Sequence, residues 1–477
     1  MDTLLIICIL GGCTALLREF PFFRERFDYI LAAANTFFLV ICYNADALIF
    51  LAAFLLLSYA ITAVKAYFPK SSFPALLTLI IGLFCVFKNY SILPLGGLHN
   101  SIPEVMGLSY IVFRVINLLF EVNQTNSFIP PVRFLNYNLS IFTLLSGPIQ
   151  RYKNFDLDMA GMKDDILNEE RILSALNRSA NGGIKVALLA PMARQFQDAL
   201  LEAGKTETVT AVLGPLGDPV GFLTASLAYM VFLYLNFSGY TDIIIGLARL
   251  SGFHLPENFK TPFKCTNFLD FWNHWHISLS SWFRDYCYTP ILKSIIRKGA
   301  TSAIMTPIIP LFISFGLLGV WHGRTWPFLF CGMMLAMGAT INNLFRRVML
   351  QQAGPWYKKV SASSAFGALS SAMTFLYISI AIIGLWLSGK QMTAIAGNIA
   401  PLDLAKGACL VVLSLGTVVF AVRKIKQNNY CSKALEFLVG IFRDRSSCLI
   451  ISMKILLLFL CFFIISDQLP NFVYQAL

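Results

Sequence analysis

Long apolar runs separated by short polar connectors dominate this chain and constrain its fold. The runs cover residues 4–17, 30–43, 47–63, 72–86, 105–120, 139–149, 220–235, 308–321, 326–341, 365–387, 408–422 and 448–465. Hydrophobic residues make up 57% of the chain and charged residues 13%, against about 25% charged in an average soluble protein. Helices satisfy their own backbone groups inside a bilayer. The pattern therefore predicts an all-α polytopic membrane protein.

The lengths of the runs predict how many helices cross the membrane. A straight crossing needs roughly 20 apolar residues, and several runs are shorter, so we expect those to be tilted, broken or buried in the bundle. We predict about eleven transmembrane helices together with amphipathic or re-entrant helices. One membrane domain over residues 1–477 is expected, with a core at about 140–345 and peripheral helices at 1–122 and 365–465.

Basic residues lie mainly in the short connectors and predict the orientation of the chain. The connector after the first run carries Arg18, Arg24 and Arg26, whereas the next one, residues 44–46, has no positive charge. By the positive-inside rule this places the N-terminus outside and the first connector in the cytoplasm. The net charge of +12 is thereby explained without a nucleic-acid partner. The largest polar segment, residues 151–178, is predicted to form one or two cytoplasmic surface helices.

Cysteine usage gives no sign of a disulfide framework or a metal centre. The chain has 11 cysteines, most of them inside apolar runs, and no C-x-x-C pair. We expect them to pack as small buried apolar residues.

Histidines are few and concentrated. Of the five in the chain, three fall in residues 271–280 (FWNHWHISLS) and 319–323 (GVWHG). His322 follows one apolar run and precedes another, where an ionisable group is costly and by default functional. A neutral imidazole can take a proton from an attacking hydroxyl. His276 and His322 are therefore candidate catalytic bases, and a structural histidine hydrogen-bonded between helices is the alternative for each.

Residues 266–288 are predicted to form one amphipathic helix that lies at the membrane interface or wedges into the helix bundle without spanning the membrane. Its aromatic residues recur at helical spacing, and Pro262 and Pro290 bound it. On such a helix His274 and His276 diverge by about 200°, so they cannot share one metal ion. His274 is four residues after Asp270, and a local ion pair accounts for it.

The chain lacks the sequence motifs of several enzyme classes. The chain has no G-x-S-x-G elbow, H-E-x-x-H pair, P-loop or G-x-G-x-x-G turn, which argues against α/β-hydrolase, zinc-protease and nucleotide-binding chemistry. The His-x4-Asp motif of another acyltransferase class is also absent.

Four blocks resemble the membrane-bound O-acyltransferases, in the bacterial branch that includes alginate O-acetyltransferase and D-alanyl-lipoteichoic acid transferase. The blocks are residues 145–152 (LSGPIQRY), 236–242 with 255–259 (NFSGYTD and LPENF), 271–285, and 319–323. Within them, residues 146–148, 271–273 and 282–285 are closer to the D-alanyl transferases, and residues 239–242 and 255–258 to the polysaccharide acetylases. His274 departs from both, since these families often carry arginine there.

The resemblance implies a ring of helices around a central tunnel, with His322 as the base and His276 ordering the acyl donor or the base. It implies that the tunnel and donor site include Trp321, Trp275, Trp326, Ser280 and Asn273, and that Arg284 and Arg151 are candidates to contact an anionic donor. No bound cofactor or metal is expected. The donor is an acyl thioester substrate, either acetyl-CoA or an acyl-phosphopantetheine carrier.

The expected function is transfer of an acyl group, with acetyl ranked ahead of D-alanyl, from a cytoplasmic thioester. The expected acceptor is a hydroxyl of a cell-envelope polysaccharide, a teichoic-type polymer or a periplasmic partner, in the bacterial inner membrane. An acyl carrier protein is a possible further partner. A transporter or flippase, and a silent scaffold for a partner enzyme, are the alternatives from other classes.

Overall fold

The computed structural model describes residues 2–70, 72–88, 105–162, 164–203, 218–299, 302, 305–427, 450–454, 456 and 458. Within these residues every regular element is a helix and no strand occurs, which confirms the all-α fold class. The chain divides into two compact units, and the division falls inside one long helix.

The first unit comprises Met1–Ile184, Gly239–Glu257 and Arg445–Ala476. Its helices are α1 Asp2–Arg18, α2 Pro21–Arg24, α3 Phe27–Cys42, α4 Ala45–Tyr67, α5 Phe73–Phe87, α6 Leu108–Thr125, α7 Pro131–Leu139, α8 Tyr152–Gly161 and α9 Glu169–Ile184. Phe253 lies in its core and contacts Phe27, Phe142 and Phe155, the last with stacked rings 5.8 Å apart. The two helices α8 and α9 confirm the prediction of helices in the polar segment 151–178.

The second unit comprises Lys185–Ser238 and Asn258–Asp444, with Leu477. Its helices are α10 Ala190–Ala203, the first part of α11 Pro219–Leu250, α12 Phe268–His274, α13 Ile277–Phe283, α14 Thr289–Arg297, α15 Met305–His322, α16 Trp326–Gln352, α17 Gly354–Ser361, α18 Ser364–Ala381, α19 Gly389–Asn398 and α20 Pro401–Gln427. Helices α15 and α16 form a tight hairpin. A Cβ on Gly319 would lie 2.4 Å from the carbonyl oxygen of Phe328, so only glycine permits this close approach.

Six of the described helices are long and apolar enough to cross a membrane. They are Ala45–Tyr67, Pro219–Leu250, Met305–His322, Trp326–Gln352, Ser364–Ala381 and Pro401–Ile425, and three shorter apolar helices cover Thr3–Arg18, Phe27–Cys42 and Phe73–Phe87. The run predicted at 448–465 lies mostly outside the described residues. The count of eleven crossings and the central tunnel therefore remain predictions.

The apolar run at 139–149 is one of the short runs expected to be tilted, broken or buried, and it is buried without forming a helix. Helix α7 ends at Leu139, and the chain continues in turns to a cis peptide bond between Gly147 and Pro148. Buried polar side chains take over the hydrogen bonding that a helix would provide. The Arg114 guanidinium donates to the carbonyl oxygens of Asn138, at 2.5 Å, and Thr143, and Asn35 accepts from the backbone of residue 141. A non-helical segment can be buried because its backbone groups are satisfied in this way.

Candidate active site

His276 lies at a break between two short helices. Helix α12 ends at His274, Trp275 is extended, and His276 has left-handed backbone angles of φ 43° and ψ 53° before α13 begins. The prediction of one continuous helix over 266–288 is therefore wrong. The backbone N–H of Ile277 donates to the carbonyl oxygen of Asn258 at 2.9 Å. This contact with a distant segment replaces helical hydrogen bonds at the break.

The second predicted boundary of that element also differs. Pro290 lies in the first turn of α14, directly after a π-helical turn, and does not end the helical path. A π-helical turn, Arg284–Tyr288, joins α13 to α14, so the helical path continues to Arg297.

The imidazole of His276 is enclosed by protein. Its residue is 3% exposed, and its ring meets the ring of Phe237 edge to face with centroids 4.8 Å apart. Among the described residues, neither ring nitrogen has a hydrogen-bond partner. Burial, and then the nearby charge of His322 when it is protonated, hold the pKa of His276 well below 6.5. His276 is therefore neutral at neutral pH.

His322 is the last residue of α15 and lies within electrostatic reach of His276. It is half-buried, and its ring meets that of Trp321 with centroids 4.6 Å apart. The structure thus brings together the two histidines that were predicted as catalytic from segments 46 residues apart in the chain (322 − 276 = 46).

The predicted tunnel tryptophans differ in their surroundings. Trp275 stacks on Phe271 with centroids 5.2 Å apart, and Trp321 is buried. Trp326, in contrast, is 49% exposed at the start of α16. Its role in drying a passage remains a prediction.

A cavity of about 300 Å³ in the second unit collects three of the predicted donor-site residues, Asn273, Ser280 and Arg284. The Ser280 hydroxyl donates at 3.1 Å to the carbonyl oxygens of Trp275 and His276, and so it also stabilises the break. The cavity lining contains one charged side chain, the exposed Arg284, and no carboxylate among the described residues. The cavity therefore presents one positively charged side chain to a bound molecule.

Arg151, the other predicted donor contact, lies in the first unit. It precedes α8 and is partly buried. The structure does not group it with the cavity residues, and its contact with the donor remains a prediction.

His274 forms the local contact that was predicted. Its Nδ1 lies 2.7 Å from the carbonyl oxygen and 3.4 Å from the carboxylate of Asp270. The Cys265 thiol joins this group, with ligand-type atoms of the three residues within 4.8 Å of one another. Burial, and then the Asp270 carboxylate, raise the pKa of Cys265 to about 12, so the thiol stays protonated and hydrogen-bonded. The three side chains satisfy one another, and the expectation that no metal binds remains a prediction.

Two residues that contact the active-site break were not predicted from the sequence. Asn258 hydrogen-bonds to the chain on the far side of His276, and Phe237 packs on the imidazole itself. Both belong to family-like blocks, at residues 255–259 and 236–242, and that membership was the one available signal.

An ion-pair cluster in the first unit links the family-like segments 236–242 and 255–259. The Arg178 guanidinium contacts the carboxylates of Asp242 at 3.0 Å and Glu257 at 2.5 Å. Arg178 and Asp242 are each 20% exposed and Glu257 53%. One arginine on α9 thus joins α11 to the segment that follows it.

Comparison with known proteins places these features in a family. The membrane-bound O-acyltransferase family matches residues 29–385. The chain is 30% identical to the teichoic acid D-alanyltransferase of Bacillus subtilis over 254 residues, which is 52% of this chain and 61% of that protein. It is 29% identical to the probable alginate O-acetylase AlgI of Pseudomonas putida over 274 residues, 57% of this chain and 50% of that protein. The chain therefore matches half to three fifths of the length of these relatives.

Proposed function

Because this chain belongs to the membrane-bound O-acyltransferase family, we propose that it transfers an acyl group from a thioester donor to a hydroxyl of a cell-envelope polymer. The observation that carries the proposal is the pair of active-site histidines. His276 is buried and neutral, and His322 lies within electrostatic reach of it at the end of a candidate membrane span. Two imidazoles in such an environment fit proton transfer between two bound substrates.

His322 acts as the general base. The acceptor oxygen attacks the thioester carbonyl carbon as its proton passes to the His322 imidazole, which produces a tetrahedral oxyanion. The oxyanion collapses, the carbon–sulfur bond breaks, and the departing thiolate takes the proton back from His322. An ester and a free thiol leave, and the base is neutral again. This direct transfer needs no covalent enzyme intermediate.

His276 orders the donor or the base. A neutral imidazole has one N–H donor and one acceptor nitrogen, and neither is used by another described residue. A hydrogen bond to the thioester carbonyl would strengthen as negative charge develops on that oxygen. The low pKa of His276 keeps it in the neutral form that this role requires.

The cavity with Asn273, Ser280 and Arg284 supports an acetyl group rather than D-alanine as the cargo. Both acetyl-CoA and an acyl-phosphopantetheine carrier present a long neutral arm with phosphate at one end, and Arg284 would attract that phosphate. The D-alanyl thioester adds an ammonium group, which favours a carboxylate partner, whereas the charged side chain that lines the cavity, Arg284, is a cation. D-alanyl transfer from a carrier protein is the alternative outcome of the test below.

The relatives support a polymer acceptor. One is named for teichoic acid and another for alginate, and both names fit an envelope polysaccharide or a partner that delivers the acyl group to it. We place the enzyme in the bacterial inner membrane with its N-terminus outside and the donor arriving from the cytoplasm, as the basic connectors indicate.

Inside-out vesicles test this proposal. They are supplied externally with labelled acetyl-CoA, or with labelled D-alanyl carrier protein, while the acceptor polymer is held in the lumen. Acetyl esters on the luminal polymer, absent from vesicles without the protein, are the expected result. If only D-alanyl esters form, the acyl group that the enzyme transfers is D-alanine and not acetate. If polymer is labelled only when the donor is supplied on the opposite face, the proposed orientation of the protein is wrong. If polymer moves across the membrane without forming any ester, the protein is a transporter.

A further inference from the structure

We infer that Asn258 is a positioning residue that fixes His276 in its active orientation, an inference that rests on the proposed acyl-transfer function. Asn258 is 1% exposed and His276 3% exposed. The two residues are 18 positions apart (276 − 258 = 18), so the contact between their segments is made by the fold.

The backbone of the Asn258 segment clamps both sides of the break. On one side, the N–H of Ile277 donates to the carbonyl oxygen of Asn258 at 2.9 Å. On the other, the N–H of Lys260 donates to the carbonyl oxygen of His274 at 3.1 Å. The two hydrogen bonds enclose Trp275 and His276, so the position where the chain leaves helical geometry is set from outside the helices.

The Asn258 side chain makes a third contact on the same side. Its Oδ1 accepts a hydrogen bond from the Ser278 hydroxyl at 2.6 Å, and both residues are buried. The Nδ2 of Asn258 is buried and has no hydrogen-bond partner among the described residues, so this amide is held through its Oδ1. Asn258 thereby fixes the first turn of α13 through two contacts, one to the backbone of Ile277 and one to the side chain of Ser278.

His276 needs such support because its backbone is left-handed. A φ of 43° is disfavoured for any residue with a Cβ and persists only where the surroundings enforce it. If Ile277 and Ser278 were released, the backbone of His276 could relax toward helical angles and its imidazole would turn.

The same segment also supports the imidazole ring. Phe259, next to Asn258, packs edge to face on Phe237 with centroids 5.2 Å apart, and on Trp275 at 5.1 Å. Phe237 in turn packs on His276. The residue after Asn258 thus braces the aromatic side chain against which His276 rests.

Three variants and one control test this inference. Asn258→Ala and Ser278→Ala each remove one end of the same hydrogen bond, and Asn258→Asp keeps an acceptor in the same place. Ser226→Ala is the control, because Ser226 is equally buried, donates to the carbonyl oxygen of Phe222 and lies 11 residues before Phe237 on α11, about 16 Å along the axis.

Kinetics of labelled acyl transfer are measured for each variant in membranes. Asn258→Ala should lower kcat about 10- to 100-fold with little change in KM for the donor, because a misplaced catalytic group slows the chemical step. Ser278→Ala should lower kcat as well, and the double variant should lose no more than the stronger single one. Asn258→Asp should recover much of the loss, and Ser226→Ala should match the wild type.

A second readout does not depend on activity. Carbethoxylation of histidines by diethylpyrocarbonate, mapped by mass spectrometry, should leave His276 protected in the wild type and in Ser226→Ala and expose it in Asn258→Ala. Continued protection in Asn258→Ala, or an unchanged kcat while the wild type is active, overturns this inference and leaves the proposed function intact. A wild-type protein that makes no ester overturns the proposed function, and the protection pattern still decides the role of Asn258.

Discussion

The rings of His276 and Phe237 meet edge to face with centroids 4.8 Å apart. An aromatic ring therefore holds this imidazole in place, and no described side chain hydrogen-bonds to its nitrogens. The arrangement keeps the ring buried and oriented while neither nitrogen is engaged by another described residue. Contacts of this kind are worth more than their buried area alone because of the edge-to-face geometry.

His276→Asn should lower acyl transfer strongly, and His274→Ala much less. Asparagine tolerates left-handed backbone angles, so the break at residue 276 is preserved while the imidazole is lost. The His274 side chain hydrogen-bonds to Asp270 and lies beside the Cys265 thiol, and no hydrogen bond links it to His276 or His322 among the described residues. Initial rates in membranes, normalised to folded protein, give the comparison. Equal losses from both variants would contradict the assignment of His276 to the active site.

Acidification should destabilise the wild-type protein more than His276→Asn. The pKa of His276 is lowered in the folded state, so the unfolded chain binds a proton that the folded one excludes once the pH falls below about 6.5. The neutral, buried His276 therefore costs no stability above pH 6.5, and the free energy of unfolding decreases as the pH falls below that value. Thermal midpoints of both proteins in detergent between pH 5 and 8 measure the difference. Parallel midpoint curves would show that His276 is not buried in its neutral form.

Arg284→Gln should raise KM for an anionic donor about two- to fivefold and leave kcat nearly unchanged. The guanidinium is exposed, is paired with Asp285 at 3.1 Å, and lines a cavity whose lining includes neither His276 nor His322. Added salt should shrink the difference between variant and wild type, because it screens exposed charges. Arg26→Gln, at an arginine whose side chain is 52% exposed, is the control. A fall in kcat at unchanged KM would argue against a donor contact.

Arg178→Ala should lower the free energy of unfolding by about 1–3 kcal/mol, the range for hydrogen bonds to charged groups. The loss removes the ion pairs that the guanidinium makes with the part-buried carboxylate of Asp242 and with Glu257. Denaturation of purified protein measures it, and Lys406→Ala is the control because both members of the Lys406–Asp403 pair are more than half exposed. If the two variants lose equally little, the Arg178 cluster does not stabilise the fold.

Much of the architecture could be predicted because it depends on local pattern. Apolar runs of near-spanning length indicate helices wherever they occur, and two histidines in such surroundings indicate a functional pair. The pairing of His276 with His322 was implied by a resemblance between short blocks; the two lie within electrostatic reach of each other, and their catalytic roles remain predictions.

The two departures from regular helix share a physical cause, which is hydrogen bonding from distant residues. Residues 139–149 are as apolar as a membrane helix, but buried Asn35 and Arg114 bind their backbone and allow turns instead. The aromatic periodicity of residues 266–288 continues through the break at His276, which Asn258 sets from 18 residues away (276 − 258 = 18). Neither partner can be identified from the sequence spacing of the segment that it reshapes.

The most direct test of the account is the single-turnover rate of acyl transfer by His322→Ala. His254→Ala is the matched control, since His254 is 68% exposed and paired with Asp158 at 2.9 Å. The account predicts a loss of about 10²- to 10⁴-fold for His322→Ala, with normal folding and a wild-type rate for the control. A His322→Ala rate within a few fold of the wild type would contradict the assignment of His322 as the catalytic base.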